Sequence, residues 1–128
     1  MPIDETSGPE QVYLGEADVA VLAAVVGHPY QLPSIDEIRF VTREHDDDLV
    51  DRRVRRLVQQ DVLEKVTFED GPPLPDLPAT FFGTTAFGDS ILERRLTPDR
   101  EHRLFENYAR LEKPDRIRSF ERAPRPPR

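Results

Sequence analysis

Four arginines form a tight cluster near the middle of the chain: Arg52, Arg53, Arg55 and Arg56. A guanidinium group forms bidentate hydrogen bonds with guanine in the major groove of duplex DNA, and it also pairs with backbone phosphates. Gln59 follows shortly after, and a glutamine amide can pair with adenine in a similar way. The cluster therefore predicts a surface that contacts double-stranded DNA.

Acidic residues beside this cluster favour a second interpretation. Asp48 and Asp51 each precede an arginine by four residues, a spacing at which opposite charges pair on a helix and stabilise it by about 0.2–0.5 kcal/mol. Asp48 is also the last of three consecutive aspartates, and carboxylates at a helix start suit the helix dipole but repel phosphate. The arginines either contact DNA or are neutralised by their own helix.

Residues that could support catalysis or metal binding are sparse and scattered. The chain has no cysteine, which excludes disulfides, thiolate metal sites and cysteine nucleophiles. His28, His45 and His102 are far apart, and no pair of histidines has the spacing of a helical metal site. No glycine-rich phosphate loop or Gly-x-Ser-x-Gly motif occurs. We therefore expect no catalytic residues, no metal, no cofactor and no enzymatic activity.

The charge composition is unusual. The 128 residues include 25 acidic and 18 basic side chains, a net charge of −7, and Lys65 and Lys113 are the only lysines. An acidic, lysine-poor surface suits high salt, where screening weakens self-repulsion, and this composition resembles proteins of halophilic archaea. A GC-rich genome is the alternative explanation.

Hydrophobic segments are short. The longest apolar run, residues 19–26, is far below the roughly 20 residues that span a bilayer. The N-terminus is acidic and lacks an apolar leader. We therefore expect a cytoplasmic protein with no membrane contact.

The arginine cluster lies on an amphipathic segment, residues 47–61. At 100° per residue, Val50 and Leu57 fall in one narrow arc, and most of the arginines fall on the opposite side. Ser34 and Glu37 have the spacing of a capping box, which predicts that a short helix begins there. The sequence therefore predicts two helices joined by a short turn, and the second helix carries the arginine cluster.

After this helix the apolar period changes from 3.6 to 2, which predicts strands at 62–68 and 79–84. A loop with four prolines, residues 69–78, joins them, and Lys65 on the first strand is placed to touch phosphate. With a buried helix over 16–26, this order of elements predicts a winged helix-turn-helix: a mainly α fold with a small β hairpin.

Two stretches resemble winged helix-turn-helix regulators, in particular ArsR- and MarR-like regulators of archaea. Residues 49–63, LVDRRVRRLVQQDVL, are similar to their recognition helix and the turn into the wing, where many relatives have glycine in place of Asp61. Residues 85–91, TAFGDSI, are similar to the Thr-x-x-Gly-x-x-Leu that closes the wing. The resemblance covers about residues 17–96 and implies a sequence-specific, DNA-binding transcriptional regulator.

The predicted wing departs from wings that enter the minor groove. Its tip, residues 69–78, carries three acids and no base, whereas such wings usually present arginine or lysine. A stiff loop with Leu74 and Leu77 suits protein contact, unless it packs back on its own domain. The alternative function is therefore a winged-helix module that binds a protein partner and does not bind DNA.

A helix that starts at Thr97-Pro98 carries an apolar stripe: Leu104, Phe105, Tyr108 and Leu111. A homodimer with a two-fold seam would bury such a stripe, and packing against the first helix of the same chain is the alternative. We expect four segments in all: a flexible arm (1–15), the winged helix-turn-helix domain (16–96), a helical dimerisation segment (97–123) and an extended tail (124–128).

Overall fold

The computed structural model describes residues 13–71 and 74–128, so most of the predicted N-terminal arm lies outside the described residues. Within these ranges the elements are α1 (Glu16–Val26), α2 (Ile35–Val41), α3 (Asp47–Gln59), β1 (Leu63–Thr67), β2 (Thr80–Thr84), α4 (Ala86–Glu93), α5 (Pro98–Arg110) and α6 (Asp115–Arg122). The predicted mainly α fold with a small β hairpin is confirmed. Helix α3 ends at Gln59, two residues before the end of the amphipathic segment that the sequence predicts.

Helix α1 is the centre of the core. Its residues Val21, Leu22 and Val25 are buried and pack with Val50 and Leu57 of α3. Each fully buried aliphatic side chain contributes about 1.5–3 kcal/mol relative to exposure. This packing fixes α3 against α1 and leaves the opposite side of α3 in solvent.

The end of α3 is a Schellman motif. The N–H of Val62 donates to the carbonyl of Leu57 at 2.9 Å, and the N–H of Asp61 donates to the carbonyl of Val58 at 3.1 Å. Asp61 has a φ of 62°, a left-handed conformation that glycine adopts at lower cost. The motif turns the chain from α3 directly into β1.

Helix α4 is fixed to the same turn by Thr85 and Gly88. The Thr85 hydroxyl donates to the carbonyl of Asp61 and accepts from the N–H of Gly88 at 2.9 Å. A Cβ at position 88 would lie only 2.1 Å from the carbonyl oxygen of Val62. The Thr-x-x-Gly spacing therefore lets the start of α4 approach the α3–β1 turn.

Strands β1 and β2 form an antiparallel hairpin in which Leu63 is opposite Thr84. One face of the hairpin, with Leu63 and Phe82, joins the helical core. The other face carries Phe81, which packs with Leu32 in a second cluster. We call β1, β2 and the loop between them the wing.

Helix α5 packs on α1 within the chain. A Cβ at Gly27 would lie 3.0 Å from the carbonyl oxygen of Leu104, so the two backbones are in close contact. Tyr108 is only 4% exposed, and its ring centroid is 5.3 Å from that of His28. Burial raises the pKa of Tyr108. The backbone of Leu104 and the ring of Tyr108 therefore pack beside the two residues that follow α1, whereas the side chain of Leu104 stays half-buried.

The tail after α6 has no regular secondary structure, and its Arg125 reaches the buried Glu37. Its guanidinium donates to Glu37 of α2 at 3.0 Å and to the carbonyl of Leu32 at 2.9 Å, and it lies 4.6 Å from the ring centroid of Phe81. Burial lowers the pKa of Arg125, and the charge of Glu37 opposes this effect. The tail thus connects α2 to the wing.

His28 completes this buried cluster. Its Nδ1 accepts from the N–H of Tyr30 at 3.2 Å, so the proton on Nε2 is the one donated to Glu37. Burial alone would raise the pKa of Glu37, but the hydrogen bond from His28 and the charge of Arg125 hold this pKa below its usual value. Glu37 also accepts from the N–H of Ser34, which confirms the predicted capping box.

Candidate nucleic-acid interface

The exposed side of α3 carries four of the predicted contact residues. Arg52, Arg55 and Gln59 are exposed and Arg56 is half-buried, all opposite the buried Val50. We call Arg52, Arg55, Arg56 and Gln59 the arginine face. Because α3 follows α2 after a five-residue turn, it has the position of the second helix of a helix-turn-helix.

The predicted ion pair between Asp51 and Arg55 is wrong. Asp51 lies on the side of α3 that faces α2, where Arg39 donates to both of its carboxylate oxygens at 2.9 and 2.5 Å. These hydrogen bonds raise the pKa of Arg39. Among the described residues, Arg55 and Arg56 have no carboxylate within ion-pair distance, so their charges remain available.

The other predicted pair on this helix also differs from expectation. Arg52 Nε donates to the backbone carbonyl of Asp48 at 3.3 Å, not to its carboxylate. Asp48 and the two aspartates before it are all exposed at the start of α3. The surface of the helix is therefore acidic at its first turn and basic over the arginine face.

Arg53 lies on the flank of α3 that is opposite to Asp51 and faces α1. Its Nη1 is 4.0 Å from Asp18 Oδ2 of α1, and Asp18 is only 1% exposed. Asp18 also accepts from the N–H of Gly15 at 2.9 Å, which fixes the carboxylate in place. The structure thus separates Arg53 from the arginine face and pairs it with α1.

Lys65 is exposed on β1, where it is opposite Phe82 in the hairpin register. Alternation along the strand puts Lys65 on the same face as Leu63, the face that meets the helical core. At the tip, Glu69, Asp70 and Asp76 are exposed. The wing therefore carries one exposed lysine on β1 and exposed acidic side chains at its described tip.

Sequence reasoning missed several residues that position this surface. Arg39 and Asp51 join α2 to α3, and Arg125 holds Glu37 at the start of α2. All of these contacts join residues at least 12 apart in the chain, so local periodicity carries no signal for them. The Asp51 position did offer one clue, because it lies between the buried and exposed arcs of the helical wheel.

The predicted dimer residues differ in exposure. Leu104, Phe105 and Leu111 are half-buried in the single chain, whereas Tyr108 is buried against His28. In residues 13–71 and 74–128, no group of three or more His, Asp or Glu side chains is arranged to hold a metal ion. No helix in these ranges has the length and hydrophobicity to cross a membrane.

Comparison with known proteins supports the fold. No family model and no curated protein matches the chain. Among solved structures, the chain is similar to a protein with a GntR superfamily winged-helix-turn-helix domain from Halomicrobium mukohataei, with a TM-score of 0.78 and 23% sequence identity. The match covers 89% of this chain and 80% of that one. The chain therefore has a winged helix-turn-helix fold, a class in which regulatory DNA-binding proteins are common.

Proposed function

We propose that this protein is a transcriptional regulator that binds duplex DNA in the major groove through the arginine face of α3. In this proposal Arg52, Arg55 and Arg56 make the main contacts with guanine edges and phosphates. Gln59 lies late in the helix and contacts adenine or the backbone. Arg53 and Lys65 contribute phosphate contacts from the flank and the wing.

The observation that carries this proposal is the pairing of Asp51 with Arg39. Two hydrogen bonds tie the Asp51 carboxylate to α2, so it does not neutralise Arg55. A chain with net charge −7 has an acidic surface as its background. Arginines with no carboxylate within ion-pair distance in the described part of the chain are therefore the feature that favours a polyanion.

Salt dependence provides the test. Fluorescence anisotropy with a generic labelled duplex should show binding at low potassium chloride, and the logarithm of the affinity should fall linearly with the logarithm of the salt concentration. The slope should be about −0.9 for each phosphate contacted. No binding at any salt concentration that keeps the circular dichroism spectrum of the folded protein would overturn the proposal.

Several finer features belong to the same proposal. We infer a homodimer whose seam includes Leu104, Phe105 and Leu111, with Tyr108 supporting it from inside the chain. We also propose a likeness to ArsR- and MarR-like regulators, on the two stretches 49–63 and 85–91, and a cytoplasmic location. The acidic, lysine-poor composition supports adaptation to high salt.

The second candidate function is protein binding through the wing. Leu74 is 53% exposed on the loop, beside exposed acids that would repel phosphate. An exposed leucine on a proline-rich loop suits a protein partner. This candidate replaces the first one if the salt titration detects no complex with DNA.

A further inference from the structure

A cleft of about 480 Å³ separates the wing loop from α6. Leu74 and Leu77 line it from the loop, and Arg118, Ser119 and Arg122 line it from α6. It lies apart from the arginine face, since none of the residues of that face lines it. The cleft thus combines an apolar wall with a cationic wall.

The two cleft arginines are exceptional in the C-terminal part of the chain. Every other cation from residue 110 onward has a carboxylate partner: Arg110 with Glu106, Lys113 with Glu121, Arg116 with Asp36, Arg125 with Glu37 and Arg128 with Glu64. Arg118 and Arg122 have no such partner among the residues that the structure describes. They are also four residues apart on α6, where like charges repel each other.

A single bound anion would remove this repulsion. A carboxylate accepts bidentate hydrogen bonds from arginine, so it can sit between the two guanidinium groups. Asp115 also lines the cleft, and its charge leaves a local balance of +1 from these three side chains. That balance favours a ligand with one negative charge over a polyanion.

The apolar wall of the cleft indicates that the ligand also has a hydrophobic part. Leu74 is largely exposed, and covering its side chain removes apolar surface from water. We propose that the cleft binds an amphipathic organic anion, with one carboxylate held by Arg118 and Arg122 and an aliphatic chain against Leu74 and Leu77. Such a ligand connects the wing loop to α6.

The test is an NMR titration of the ¹⁵N-labelled full chain with octanoate, octanol and inorganic phosphate as probes. Octanoate supplies both halves of the ligand, octanol only the apolar half and phosphate only the charge. We expect octanoate to shift amide signals of residues 74–77 and 115–124 and to bind at least tenfold more tightly than either other probe. Equal binding of octanol, equal binding of phosphate, or octanoate shifts outside these residues would overturn the proposal.

Matched variants sharpen the result. The double variant Arg118→Gln/Arg122→Gln should lose at least tenfold in octanoate affinity with an unchanged circular dichroism spectrum. The control Arg100→Gln/Arg103→Gln removes the same charge from α5 and should bind octanoate like the wild type. An equal loss in both variants, or no loss in the first, would show that the cleft arginines do not hold the carboxylate.

Discussion

At the scale of single residues, the cluster of His28, Glu37 and Arg125 places charged groups in the interior, where their burial costs free energy. Glu37 and His28 are almost completely buried, and Arg125 reaches them from the last residues of the chain. Buried charges are tolerated only when they are paired and fully hydrogen-bonded. Removing one partner leaves the other charge buried and unpaired, at a cost of about 3–5 kcal/mol.

We therefore predict that Arg125→Ala lowers the free energy of unfolding by about 3–5 kcal/mol, because Glu37 then lacks its cation. Urea unfolding followed by circular dichroism measures the change. Arg103→Ala is the control, since this exposed arginine of α5 should change stability by less than about 0.5 kcal/mol. Equal effects of the two substitutions would mean that the tail does not hold Glu37.

The lowered pKa of Glu37 predicts a pH dependence with a definite sign. A carboxyl group whose pKa is lower in the folded state stabilises the fold above its unfolded pKa, about 4.3. This stabilisation is lost as the pH falls through the lower folded pKa. The difference in unfolding free energy between wild type and Glu37→Gln should therefore shrink from pH 6 to pH 3. A constant difference would contradict the account.

At the scale of elements, the junction of α3, β1 and α4 sets the direction of the wing. Asp61 adopts a left-handed conformation there, and Thr85 bonds to its carbonyl. Because glycine adopts this conformation without the steric cost of a Cβ, Asp61→Gly should raise the unfolding free energy by about 1 kcal/mol. Thermal unfolding measures the change, and a lower melting temperature would be the contrary result.

A second substitution at the same junction should have the opposite effect and lower the unfolding free energy. Gly88→Ala puts a Cβ about 2.1 Å from the carbonyl of Val62, so α4 must move away from the turn. We expect a loss of about 1–3 kcal/mol, the range for overpacked sites. Ala86→Gly, two residues earlier at the exposed first position of α4, should lose at most about 1 kcal/mol from its helix propensity. A smaller loss for Gly88→Ala than for this control would contradict the packing argument.

The order of elements could be predicted because each has a local signal. Ser34 and Glu37 mark a helix start, and the change of period after α3 marks the strands. The arginine partners of Asp51 and Glu37 could not be predicted, since Arg39 and Arg125 are 12 and 88 residues away. The local i, i+4 rule failed at Asp51 because a bidentate partner on a neighbouring helix outcompetes a flexible side chain on the same helix.

At the scale of the whole molecule, the proposed homodimer can be tested at those residues of the apolar stripe that are still partly exposed in the single chain. Tyr108 is already covered within the chain, so Leu111 is the clearer probe of a seam. Leu111→Asp puts an unpaired carboxylate into the interface and should give a monomer in sedimentation, with helix content retained. Ala109→Asp on the exposed side of α5 is the control. A Leu111→Asp protein that stays dimeric would show that the interface does not include Leu111.

The molecule has a net charge of −7, and the arginine face is a basic region on this acidic background. Asp51 and Asp18 are engaged by Arg39 and Arg53 on the two flanks of α3, which leaves Arg55 and Arg56 without a carboxylate partner in the described part of the chain. Binding to a polyanion should therefore depend on these two residues far more than on net charge.

The most direct test of this account is DNA binding by Arg55→Glu/Arg56→Glu, measured by fluorescence anisotropy at low salt. The control is Arg118→Glu/Arg122→Glu, which makes the same change in net charge on exposed positions of α6. We predict a loss of affinity of at least 100-fold for the first variant and of less than fivefold for the second, with the unfolding free energy of both near that of the wild type. Equal affinities of the two variants for DNA would contradict the proposal that α3 contacts the duplex.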